Sequence, residues 1–131
     1  MEPFKDQLKR ATGNIRKESD KRVRRIALAA FERINTQSPV DEGTFRANWH
    51  ASFDTLDRGY DLNLNATDVQ SSVTSATMKI STQAFAGMVL FICNSVPYAV
   101  VLEGGYSKQA PSGVVEPACR LVKAAIDAGR L

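Results

Sequence analysis

His50 is the one histidine in the chain, and it limits what chemistry the chain can perform. A zinc site cannot be built from His50 with Cys93 and Cys119, because the cysteines do not form a close-spaced pair. A nucleophile–base–acid set would have to use His50 with an unsupported partner. Gly104-Gly105 lacks the flanking pattern of a phosphate-binding loop, and the G-x-x-x-x-G-K-[ST] pattern does not occur. The carboxylates Asp41, Glu42, Glu103 and Glu116 read as caps and ion-pair partners rather than an acid–base pair. These residue types therefore predict no enzyme, no cofactor, no metal and no small-molecule substrate. Cys93 and Cys119 lie in apolar stretches and read as small buried hydrophobes.

The basic residues are unevenly placed. Residues 1–33 hold ten Lys/Arg against five Asp/Glu, and the rest of the chain holds seven against nine. A basic arm on a mildly acidic body suits an anionic partner, either nucleic acid or an acidic protein surface. Arg16, Lys17, Lys21, Arg22, Arg24 and Arg25 would carry such a contact. They spread around a helix instead of forming one stripe, and no aromatic is interleaved to stack on bases. A helix that is simply solvated is the plainer reading of the same charges.

The elements that must position these groups follow from periodicity. Val23, Ile26, Ala27, Ala30, Phe31 and Ile34 predict a helix over residues 4–35, continued more thinly upstream by Phe4, Leu8, Ala11 and Ile15. Such a helix is longer than a small body is wide, so its basic first part (about 1–20) is expected to project or to pack on a neighbouring chain. Phe45, Ala47, Trp49, Ala51 and Phe53 alternate with polar residues and predict a strand. Phe45 and Trp49 also stand four apart, which fits a helical turn equally well. Residues 54–67, rich in Asp, Asn and Gly, predict a mobile loop. Val69, Val73, Ala76 and Ile80 give helical spacing over 68–83. Met88 to Cys93 is continuously apolar and predicts a central strand covered on both faces.

A short helix is expected from Pro97 to the glycines at 104–105, turning Tyr98, Val101 and Leu102 onto the core. A last helix should start near Ser112, bury Val114, Val115, Ala118, Leu121, Val122, Ala125 and Ile126, and end at Gly129. Glu103, at the end of its helix, faces an unfavourable dipole and needs a partner. The candidates are backbone amides of residues 105–110, Arg46, or a basic group of a neighbouring subunit. At 131 residues with 44% hydrophobic and 24% charged composition, the chain reads as one α+β domain. It would have a long N-terminal helix, a small sheet, a short helix and a C-terminal helix packed on the sheet. The first residues lack a signal-like apolar stretch, and the longest apolar run is too short for a bilayer, so a soluble, reducing compartment is expected.

Two segments carry a family resemblance. Ser38-Pro39-Val40-Asp41-Glu42-Gly43-Thr44-Phe45-Arg46-Ala47-Asn48-Trp49 resembles the S/T-P-V-D-T-G-x-L/F-R-x-S/N-W segment of neck and tail-completion proteins of tailed bacteriophages. Residues 94–113, which include Asn94, Pro97-Tyr98-Ala99, Leu102-Glu103, Gly105, Ser107 and Gln109-Ala110-Pro111, resemble that family's N-N-x-P-Y-A-x-x-L-E-x-G-x-S-x-Q-A-P-x-G. The chain departs at Glu42, where the family often has Thr, and at Gly104, where an aromatic is common. The resemblance implies a small subunit that forms a ring at the head–tail junction of a virion assembled in the bacterial cytoplasm. Its partners would be copies of itself, other neck, connector and tail proteins, and the DNA passing through. The positions carried over are Pro39, Asp41, Gly43, Phe45, Trp49, Pro97, Tyr98, Leu102, Glu103, Gly105, Ser107, Gln109 and Pro111. A nucleic-acid-binding protein using the basic helix is the alternative.

Overall fold

The apolar stripe centred on Ala27, Phe31 and Ile34 drives one long helix, α1 (Phe4–Gln37), and that helix organises the fold. The computed structural model describes residues 3–105 and 107–131. Met1 and Glu2, at the start of the expected arm, and Tyr106, in the second family-like segment, lie outside the described residues. After α1 come a single helical turn α2 (Thr44–Ala47) and the strand β1 (His50–Phe53). A 3-10 turn (Ala66–Asp68) leads into α3 (Val69–Gln83), followed by strand β2 (Leu90–Cys93), α4 (Ala99–Glu103) and α5 (Val115–Asp127). The class is α+β, with a two-stranded sheet covered by α3, and α1 packed against α3 and α5.

Residues 4–18 of α1 are all exposed, and burial begins only where the stripe becomes dense. Phe4, Leu8 and Ile15 are 76%, 55% and 68% exposed. Downstream, Phe31 is fully buried, against a core that includes Phe45, Trp49, Ile80, Val96, Val114 and Ala118. The exposed portion alone measures about 22 Å at 1.5 Å per residue.

Three expectations change. The stretch expected as one strand from Phe45 divides, with Phe45 in α2 and only His50–Phe53 extended. Phe45 and Trp49 satisfy both periods, and the helical turn wins because both rings then reach the core in edge-to-face contact, centroids 5.5 Å apart. β2 is not a central strand, since the sheet has two strands among the described residues. β2 runs antiparallel to β1, with Ala51 opposite Ile92 and Phe53 opposite Leu90 on the core side. Phe91 and Cys93 alternate to the other face and stay half-buried. Finally, α5 packs mainly on α1 rather than on the sheet, and α3 covers β1. In α5 it is Ala118 and Val122 that are buried, whereas Val115, Leu121 and Cys119 are exposed. Helical spacing from Ala118 to Val122 rotates Leu121 off the buried face. Pro117 falls in the first turn, where it removes no helical bond. At the far end the amides of Gly129 and Arg130 return to Ile126 and Ala125 and close the helix.

The loop after β1 is tied to the body at three points. Asn48 is buried, and its amide accepts from Asp61 N–H at 2.8 Å and donates to Asp61 C=O at 2.9 Å. Thr44 Oγ1 donates to Leu64 C=O at 2.8 Å, and the Ala66 amide donates to Glu42 C=O at 2.9 Å. Asn65 and Asp68 then form a capping box that starts the next helical turn. Residues 54–60 are exposed throughout. Hydrogen exchange should therefore be slower at the amides of Asp61 and Ala66 than at those of Leu56, Arg58 and Tyr60. Uniformly fast exchange across 54–67 would show that these ties do not persist in solution.

Candidate functional site

The site begins at the C-terminal end of α1, where helical carbonyls lack partners of their own. Ser38 is buried; its hydroxyl donates to Ile34 C=O at 2.7 Å and accepts from Trp49 Nε1 at 2.6 Å. Arg46 Nη2 donates to the carbonyls of Thr36 (3.0 Å) and Ser38 (2.7 Å), a cation at the negative end of the helix. Burial lowers the pKa of Arg46 from its ordinary value. Asn35 Nδ2 in turn donates to Arg46 C=O at 3.0 Å. The segment from Ser38 to Trp49 is thus folded back onto the helix end by its own side chains. Pro39 is buried, and Gly43 lies under the backbone of Asn65 and Ala66 at the start of α2.

The second family-like segment meets the first here. Gln109 grips Val40 with both ends of its amide: Oε1 accepts from Val40 N–H at 2.9 Å, and Nε2 donates to Val40 C=O at 3.0 Å. Asn94 Nδ2 donates to Phe45 C=O at 2.7 Å. The Tyr98 ring lies 6.4 Å from that of Phe45, centroid to centroid. Ser107 Oγ accepts from Gln109 N–H at 3.2 Å and holds the Gln109 backbone in place. Gly105 has φ +87°, and a Cβ there would collide with the Pro111 carbonyl oxygen, so the loop closes only with glycine at this position.

Glu103 does not point to Arg46 or to residues 105–110. Its carboxylate accepts from Val114 N–H (3.0 and 3.1 Å) and from Val115 N–H (2.6 and 3.0 Å), at the N-terminus of α5. The N-cap position of α5 is Val114, whose side chain cannot accept a hydrogen bond, so Glu103 supplies the acceptor from α4. A negative charge also suits the positive end of the helix dipole. Gly113, at φ +84°, leaves the space that Glu103 occupies.

Some expected positions lie elsewhere. Helix α4 starts at Ala99 rather than Pro97, and Pro97 is exposed. Leu102 packs on the core and the Tyr98 ring leans on Phe45 while remaining partly exposed, but Val101 faces outward instead of turning onto the core. Together with Pro39, Asp41, Glu42, Phe45, Ser107 and Gln109 they line a groove of about 550 Å³. Burial raises the pKa of the Tyr98 hydroxyl above its ordinary value, and the charge of Glu42 raises it further. Of the basic set, Arg24 is half-buried and donates from Nε to Ala84 C=O at 2.9 Å, capping the end of α3. Lys21 pairs with Glu18 at 3.5 Å, and Arg16, Lys17, Lys21, Arg22 and Arg25 are exposed.

His50 does not line the groove. Its Nδ1 lies 3.1 Å from Asn48 C=O and its Nε2 2.7 Å from Asp57 C=O, so the single N–H of the neutral ring has a backbone carbonyl to donate to in either tautomer. Among the described residues no group of three His, Cys, Asp or Glu could hold a metal ion, and no helix is long and apolar enough to cross a membrane. Ser38, Arg46, Asn48 and Asn94 match the two family-like segments but are not among the positions carried over, and Asn35 lies outside both segments. Asn35 carries a signal, as a polar residue beside the apolar stripe of α1. No family model, curated protein or solved structure matches the chain.

Two outcomes follow from this geometry. Glu103→Ala should lower stability by about 1–2 kcal/mol, as loss of a helix cap does, with Glu103→Gln losing less because it keeps an acceptor. Urea unfolding midpoints measure both, and an unchanged midpoint for Glu103→Ala would show that the cap contributes nothing. Tyr98 should ionise at higher pH than an ordinary phenol, and Glu42→Gln should bring it partly back down. Since the folded state holds this proton more tightly, stability is full at neutral pH and falls as pH rises through the Tyr98 ionisation. The phenolate absorbance lost in Tyr98→Phe isolates that titration.

Proposed function

We propose that this protein is a structural virion component of a tailed bacteriophage, forming a ring at the head–tail junction that joins the tail to the DNA-filled head. The observation that carries this reading is the convergence of the two family-like segments. They are far apart in sequence, yet Gln109 grips Val40, Asn94 holds Phe45, and Tyr98 lies on Phe45. These residues are bonded into one corner beside an open groove. A subunit whose work is to present shape to its neighbours needs such a corner. It also needs something that extends, and α1 carries an exposed basic arm.

On this reading the partners are copies of the same chain, the neighbouring neck, connector and tail proteins, and the DNA that passes through the ring. The place of action is the virion, with assembly in the cytoplasm of the bacterial host. The five exposed cations among Arg16, Lys17, Lys21, Arg22 and Arg25 favour a second reading, nucleic-acid binding by the helix itself.

Phage complementation tests the first reading. Gln109→Ala removes both bonds to Val40 from an exposed side chain, so the chain should still fold while filled heads accumulate without tails. Normal titres with this variant would overturn the joining role. A dedicated nucleic-acid binder would instead show duplex affinity with a steep log–log dependence on salt, abolished by neutralising the exposed cations.

A further inference from the structure

The apolar stripe of the arm and the groove at the other end of the molecule are both uncovered, and they are complementary. Phe4, Leu8 and Ile15 lie on one side of α1 and are all exposed. Lys5, Lys9 and Arg16 each follow a stripe residue by one position, which places them about 100° around the helix, along one flank of the stripe. The groove repeats this arrangement with the opposite charge. Its apolar wall is Tyr98, Val101 and Leu102, with Val101 51% exposed, and its lip carries the exposed acids Asp41 and Glu42. A helix laid in this groove with its stripe on the wall would set its basic flank against the acidic lip.

The arm cannot reach the groove of its own chain. Helix α1 is unbroken from Phe4 to Gln37, and the groove starts just past its C-terminal end. The middle of the stripe is therefore about 40 Å from that end along a rigid rod. We infer that the arm of one copy docks in the Pro39–Glu42/Tyr98–Leu102 groove of the next copy. The inference deepens the ring reading above and rests on it. The two surfaces of this contact differ, so repeating it head to tail generates a ring or a filament. Four turns of helix bury less than a standard stable interface, so a single contact is weak and holds only when the assembly closes or a neighbouring protein templates it.

Mixed disulfide formation tests the contact. Both native cysteines are first replaced, Cys93→Ala and Cys119→Ser. One preparation then carries Leu8→Cys in the arm, and a second, with a different tag, carries Val101→Cys in the groove. Oxidising the mixture at the highest soluble concentration should give the arm–groove heterodimer in excess over either homodimer. Asp41→Lys with Glu42→Lys should weaken it on the order of tenfold. Lys5→Glu with Lys9→Glu in the arm partner should restore it. Apart from half-buried Cys93, where the change to Ala is small, these side chains are exposed, so circular dichroism should show the fold intact. Predominant Leu8–Leu8 disulfides, yields indifferent to the charge reversals, or no disulfide at all would each overturn the inference. The phage reading fails separately: if arm–groove disulfides form but arm variants still complement the phage at full titre, the contact stands and the neck role falls.

Discussion

The carbonyl groups left over at the end of α1 must find donors, and the rest of the site is arranged by how they do so. Arg46 and the Ser38–Trp49 pair meet that need from a segment that has only just left the helix. Meeting it locally folds residues 38–49 into a tight corner, which exposes the Val40 peptide on the outside. Gln109 then takes both backbone groups of Val40, bringing the loop after α4 with it. That loop in turn delivers Glu103 and the start of α5 to each other. One helix terminus thereby orders nearly everything that follows it. The charges used are of the signs each dipole end favours: a guanidinium where α1 ends and a carboxylate where α5 begins.

This dependence explains why polar residues outnumber apolar ones among the links of the site. The core proper is small and made by Phe31, Ile80, Trp49, Val114 and their neighbours. The corner is held by hydrogen bonds from side chains to backbone, each with a direction and a length. Such bonds contribute modestly to net stability, but a buried group deprived of its partner is costly, so they select one conformation over its competitors. Apolar side chains are then free to remain outside, which is the condition under which Tyr98 and Val101 face the solvent.

Much of the fold was legible in the sequence where one period operated alone. The α1 stripe, the four–three–four spacing of α3 and the Gly129 stop of α5 each mark an element that is present. Legibility failed where one pattern suited two structures. Phe45 and Trp49 fit a strand and a helical turn, and only packing against each other decides between them. The run ending in Cys93 reads as doubly buried, but apolar residues on a two-stranded sheet are merely half-covered. In the candidate site, the need of Glu103 for a partner could be argued from its place at the end of a helix. Which partner it is could not, because the amides of Val114 and Val115 come close only once α5 is packed. The grip of Gln109 on Val40 was equally hidden, since nothing local to either residue signals the other.

The continuity of α1 also has a mechanical meaning. A rod anchored at Phe31 and Ile34 and free at Phe4 is a lever, and whatever holds its tip can move its root. Force applied at the tip arrives undivided at the Ser38–Trp49 corner, because no proline or loop interrupts the helix on the way. Gly13, in open space among the exposed turns, weakens the helix locally by about 1 kcal/mol relative to Ala without breaking it. A load on the tip therefore reaches the corner through one continuous helix.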